Sequence, residues 1–151
     1  MRKLIAVNHP RKTRKYRPKG KSLIAAGKIN PVQWQKIPKG EIARALRDHA
    51  GLSVKEVKKV HHLQHQVCIS YINTEGKTCS SFFSYRIFES WQKAVERLIY
   101  SCHSLKEFYR LSGYIKYDLD YFPYPVEISD AIAFTLENQE CDLRVTAREA
   151  A

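Results

Sequence analysis

Apolar side chains recur along this chain at spacings that change from segment to segment, and the changes outline its elements. From Gly40 to about Ala50, Ile42, Ala43 and Leu46 stand at helical spacing, which predicts a short helix that Gly51 ends. Gln66-Val-Cys-Ile-Ser-Tyr-Ile-Asn73 then alternates and is rich in β-branched and aromatic residues. Thr74-Glu-Gly-Lys77 supplies a turn, and Thr78-Cys-Ser-Ser-Phe-Phe-Ser-Tyr85 resumes an extended pattern. Together they predict a β-hairpin. With residues 74 and 75 at its tip, Val67, Ile69, Tyr71 and Phe82 share an apolar face, and Cys68, Ser70, Cys79 and Ser81 share a small, polar one.

Beyond the hairpin the period returns to that of a helix. Ser90 is a candidate N-cap, and Trp91, Ala94, Val95, Leu98, Ile99 and Cys102 form a wide apolar stripe that should cover the greasy sheet face. Ser104-Leu-Lys-Glu107 has the pattern of a capping box opening a short helix through Leu111, which Gly113 stops. A Tyr- and Pro-rich loop is expected next, then a last helix from Ser129 to Glu137 and a loose tail after Asn138. The expected fold class is α+β: a three-stranded antiparallel sheet packed on one helix, with flanking helices and a basic N-terminal arm. The expected division is 1–38 as arm and connector, 39–113 as the α+β domain, and 114–151 as an acidic segment with a short helix.

A three-stranded antiparallel sheet followed at once by an aromatic and a helix is similar to the Apetala and ethylene-response-factor DNA-binding family and its phage and bacterial relatives. The likeness is carried by Gly76-Lys77 at the turn, Phe83-Ser84, Phe88, Ser90-Trp-Gln-Lys-Ala94 and Leu98, within residues 57 to 100. The chain departs from the family at Val67, where a large aromatic is common, and at Val57-Lys-Lys-Val-His-His62, where arginines usually follow a glycine-valine pair. The resemblance implies DNA reading by the sheet, with Lys58, Lys59, His62, Ser70, Lys77 and Arg86 as contacts. Lys and His donate to phosphate and guanine acceptors, and a small residue such as Ser70 lets the sheet approach closely.

A second likeness competes for some of these residues. Leu46-Arg-Asp-His-Ala-Gly-Leu-Ser-Val-Lys-Glu-Val-Lys-Lys-Val60 resembles the helix-turn-helix of lac-repressor-class proteins, with Ala50-Gly51 at the turn and Leu52, Val57 and Val60 at buried spots. There Ser53 caps a recognition helix within residues 42 to 62 and the hairpin becomes a wing. Arg47 stands where that motif wants a small residue.

Charge then narrows the partner. The chain of 151 residues has a net charge of +11, unevenly spread. Residues 1–40 hold twelve Lys or Arg and no acid, and residues 117–151 hold two basic and eight acidic residues. Asn8-His-Pro-Arg-Lys-Thr-Arg-Lys-Tyr-Arg-Pro-Lys-Gly-Lys21 reads as an extended arm, because like charges and two prolines oppose a helix. Arg11, Lys12, Arg14, Lys15, Arg17, Lys19 and Lys21 are its candidate phosphate contacts, since neutralising phosphates releases condensed counterions. Double-stranded DNA is the expected partner and RNA the second choice, with a protein partner expected at the acidic, Tyr-rich C-terminal segment. An anionic membrane is a poor fit, because the arm lacks the apolar stripe of an interfacial helix. No apolar run has the length of a membrane span or of a signal-peptide core, so the expected location is cytoplasmic (nucleoid), or nuclear in a eukaryote.

The remaining motifs assign no catalytic residue, metal or cofactor. Gly20-Lys21-Ser22 is no phosphate loop, since Lys15 occupies the position of its first glycine. Cys68, Cys79, Cys102 and Cys141 lack paired close spacing, which suggests neither a disulfide framework nor a zinc ribbon. His61, His62 and His65 with Cys68 assure no fourth metal ligand on one face. A magnesium-dependent nuclease would use Glu75-Gly-Lys77 with Glu56, or Asp118-Leu-Asp120, but a tight turn holds Glu75 poorly for that chemistry. Trp91 and Tyr114, Tyr117, Tyr121 and Tyr124 are candidates for stacking on exposed bases, or for core and protein contact.

Overall fold

The computed structural model describes residues 21–34 and 36–150. A 3₁₀ turn at Pro31–Gln33 precedes helix α1 (Lys39–Asp48), followed by strands β1 (Glu56–His62), β2 (Val67–Ile72) and β3 (Thr78–Phe83). A second 3₁₀ turn, Tyr85–Ile87, leads into α2 (Glu89–Tyr100), α3 (Leu105–Tyr121) and α4 (Val126–Ala150). The fold is α+β, with a three-stranded antiparallel sheet in the order β1-β2-β3. None of the described helices is long and apolar enough to cross a membrane.

Register decides which side chains face inward. Residues opposite each other on antiparallel strands share a face, so the pairs Val67↔Phe83, Ile69↔Ser81 and Tyr71↔Cys79 place those six on one side. Val67, Ile69 and Tyr71 are buried there, whereas Phe82, opposite Cys68, is 56% exposed on the other side. The turn accounts for this. Asn73 N–H donates to the Lys77 carbonyl at 2.9 Å, so the loop is the three residues Thr74, Glu75 and Gly76, with Gly76 at φ 86°. A tip at residues 74 and 75 would be one residue off, and that slip reverses every side chain of β3. The expected apolar face therefore loses Phe82, and the expected polar face loses Cys79 and Ser81.

Strand β1 carries a bulge that also sets its faces. Val57 pairs with Tyr71 and Val60 with Ile69, both inward, although they are three residues apart. The register shifts between Val57 and Lys59, so Lys59 turns outward opposite Ser70. Segment 53–60 is thus strand and its approach, not a recognition helix. Val54 is buried and its carbonyl accepts from Arg47 Nη1 at 3.3 Å, which removes the helix-turn-helix alternative. Gly51, at φ 68°, ends α1 as expected, and Leu52 N–H bonds the Leu46 carbonyl at 3.0 Å.

The inward sheet residues merge into one core with Phe88, Trp91, Val95 and Ile99. Of the expected stripe, Trp91, Ala94, Val95 and Ile99 are buried on α2, Leu98 is half-buried, and Cys102 is buried just past the helix end. Each fully enclosed large side chain contributes roughly 1.5–3 kcal/mol of apolar transfer. Ser90 does not cap this helix, which begins at Glu89. Its N–H and hydroxyl both donate to Glu41 on α1, at 2.8 Å each.

Ser104 caps α3 by accepting from Glu107 N–H at 3.2 Å, while Glu107 accepts from His103 N–H at 3.2 Å. Gly113 does not stop that helix. A glycine costs about 1 kcal/mol in a helix interior, and the buried positions Phe108, Leu111, Ser112, Ile115 and Asp118 continue on both sides of it. Tyr114, Tyr117 and Tyr121 are consequently helical, not in a loop. The last helix is longer than expected at both ends, running to Ala150 with Ile128, Ile132, Leu136 and Leu143 buried against the rest. One core cluster runs from Leu23 to Leu143, so Ile115, Ile128, Ile132, Leu136 and Leu143 of the C-terminal segment pack in the same core as the sheet.

Candidate nucleic-acid interface

The outer face of the sheet is organised in three cross-strand rows. Glu56, Ile72 and Thr78 form one, Lys59, Ser70 and Ser80 the next, and His61, Cys68 and Phe82 the third. These nine residues are exposed or half-buried. The Ser70 and Ser80 hydroxyls lie 3.0 Å apart, so the centre of the face is a flat hydroxyl pair flanked by Lys59 on one edge. Lys58, at the bulge, stands 3.6 Å from Glu56 and adds a second exposed cation beside Lys59. Lys77 lies exposed at the hairpin turn, where Asn73 Oδ1 accepts from Glu75 N–H at 2.9 Å and Lys77 N–H at 3.0 Å. This Asx bonding holds the turn in shape and presents Lys77 past the end of the sheet.

Four sequence-predicted contacts, Lys58, Lys59, Ser70 and Lys77, are thus gathered on or beside one open face. Lys21 is exposed at the start of the described residues. Arg11, Lys12, Arg14, Lys15, Arg17 and Lys19 lie outside the described residues.

Two predicted contacts are corrected. His62 pairs with Val67 and turns inward, its ring stacked on Tyr85 with centroids 5.9 Å apart. Burial holds its imidazole below the ordinary histidine value, against a weaker upward pull from the Pro31 carbonyl, and no hydrogen bond of ordinary geometry reaches either ring nitrogen. A ring turned under Tyr85 is not presented to a phosphate on the outer face. Arg86 is only 3% exposed and makes a bidentate pair with Asp118, which is fully buried, through Nε–Oδ2 at 2.6 Å and Nη2–Oδ1 at 2.8 Å.

That pair is the centre of a polar hub under α2. The Arg86 guanidinium lies 4.7 Å from the Trp91 ring centre and 3.7 Å from that of Phe122. Asp118 also accepts from the Tyr124 hydroxyl and, at 3.1 Å, from Leu23 N–H, and Tyr124 accepts from Trp91 Nε1 at 2.9 Å. Burial and the adjoining Asp118 carboxylate push the Tyr124 hydroxyl well above the usual tyrosine range. Asp118 is therefore committed to structure and is no magnesium ligand, and its bond to Leu23 pins the chain just after the basic stretch.

Sequence reasoning missed His61 and Phe82. For Phe82 the signal was the glycine at the third loop position, which marks a three-residue hairpin loop and fixes the register of β3, whereas His61 takes its face from its pairing with Cys68 beyond the β1 bulge. Among the described residues no three His, Cys, Asp or Glu side chains cluster to hold a metal ion.

No family model, curated protein or solved structure matches the chain.

Proposed function

We propose that the chain is a nucleic-acid-binding protein that engages double-stranded DNA through the outer sheet face, with the basic residues 1–21 adding phosphate contacts. The observation that carries this reading is the exposed row Lys59, Ser70 and Ser80, bordered by Lys58, Lys77 and His61. A narrow sheet of small polar residues can approach a groove closely. Lysine and histidine donate to phosphates and to the guanine acceptors, and Phe82 offers an apolar surface for a thymine methyl group. The order of three antiparallel strands followed by a helix is also the arrangement that the Apetala-like resemblance implies. Concentrated positive charge at residues 1–40 supplies the sequence-independent part of the attraction.

The test is competition binding with the full chain, comparing duplex DNA with structured RNA of equal length. Duplex DNA is expected to compete better. Lys59→Gln should weaken duplex binding and reduce the slope of log affinity against log salt by about 1. A higher rank for structured RNA, or an unchanged slope in Lys59→Gln, removes this reading.

A further inference from the structure

On the helix side of the molecule, away from the outer sheet face, two neighbouring cavities of about 390 and 450 Å³ share Trp34 and Arg97 in their walls. The first is lined also by Lys28, the second by Lys36 and Lys93. Among the described residues no carboxylate lines either one, so every described ionised side chain in their walls is a cation. Lys93 shares its charge with Glu89 at 3.1 Å, whereas Lys36 and Arg97 make no ion pair with any described residue. Exposed cations gathered in the walls of one hollow raise the positive potential there.

Local structure explains how these groups meet. Asn30 accepts from Val32 N–H at 3.3 Å and, with Pro31 at the first position, opens the 3₁₀ turn that delivers Trp34. The Trp34 ring leans on Tyr85 at 5.6 Å and on Trp91 at 6.3 Å, which leaves it half-buried with its remaining surface in both cavities. Lys93 and Arg97 stand one helical turn apart on the exposed side of α2 and reach the same space. An aromatic ring held rigid among cations is the arrangement by which proteins take a base and its phosphate together.

We propose that this cleft is a single-strand nucleic-acid site, in which an unstacked base packs against Trp34 and its phosphates lie on Lys36, Lys93 and Arg97. A duplex does not suit it, because stacking hides the base faces and cavities of this size admit a nucleotide and not a helix. The two cavities, joined at Trp34 and Arg97, offer room for successive nucleotides of one strand. The site is independent of the sheet and does not rest on the duplex reading.

Trp34 itself is the probe. The chain has two tryptophans, and Trp91 is fully buried, so quenching of intrinsic fluorescence reports Trp34. Oligothymidylate is expected to quench it saturably in the full-length protein, and a matched duplex is expected to leave it nearly unchanged. Lys36→Gln with Arg97→Gln should raise the midpoint about tenfold or more, and Trp34→Phe should abolish the signal while a melting curve checks its fold. Lys59→Gln and Phe82→Ala should leave the quenching intact while weakening duplex binding. The proposal is overturned if the cleft variants leave the midpoint unchanged, if polyglutamate or tripolyphosphate quenches as well as oligothymidylate, if duplex quenches equally, or if the sheet variants abolish the signal.

Discussion

Lys59 and Arg86 are both cations close to the same sheet, yet one stands on an open face and the other is sealed beneath helix α2. Lys59 is exposed in a row with two serines. Arg86 is enclosed by Trp91 and Phe122 and satisfied by Asp118. A basic residue is free to meet phosphate only where its neighbours leave it in water. Once buried, it must be paired, and its charge is then spent on holding the fold in one arrangement. The sheet face and the hub therefore divide the molecule into a part that tolerates substitution and a part that does not.

The largest effect should come from the hub. Asp118→Asn leaves the Arg86 guanidinium buried without its counter-charge, and a loss of about 3–5 kcal/mol in urea unfolding is expected. A double replacement, Arg86→Met with Asp118→Leu, should be markedly more stable than Asp118→Asn alone, since it removes both charges. If the single replacement costs nothing, the pair does not organise the core.

A smaller contrast separates the two faces of β2 and β3. Ile69→Ala opens a cavity on the inner face and should cost about 2–5 kcal/mol. Phe82→Ala, outward by one residue of register, should stay within about 0.5 kcal/mol of the parent while weakening duplex binding. Equal losses for the two would place Phe82 in the core and reverse the register described above.

The smallest effect is a pH dependence at His62, whose imidazole burial holds below its ordinary value of 6.5. The folded chain binds that proton less readily than the unfolded chain does. Stability should thus fall as pH drops below 6.5, and His62→Phe should flatten that part of the melting-temperature profile. An unaltered profile would mean that the ring is solvated when the protein is folded.

Much of this was legible in the residues. The alternation of 66–73, the glycine turn and the apolar stripe of Trp91 to Cys102 announce a hairpin followed by a helix, because these signals depend on period and not on neighbours. The Ser104 and Glu107 pair announces the start of α3 for the same reason. The end of α3 was not legible, since Gly113 is a helix breaker by propensity and only the packing of Ile115 and Asp118 overrides it. The candidate site divided in the same way: Lys58, Lys59, Ser70 and Lys77 were named from the sequence and lie on or beside the open face, but the side taken by Phe82 depends on a register that slips with one residue of loop, and that of His61 on the bulge in β1.

By itself, then, the sequence determined where strands and helices arise, how charge is apportioned along the chain, and that an apolar core exists. Tertiary structure alone decided which side chains face water. Arg86 met Asp118, His62 turned under Tyr85, and Trp34 was carried to Arg97 through contacts between residues far apart in the chain. Burial is a property of what packs against a residue, and no local pattern records it.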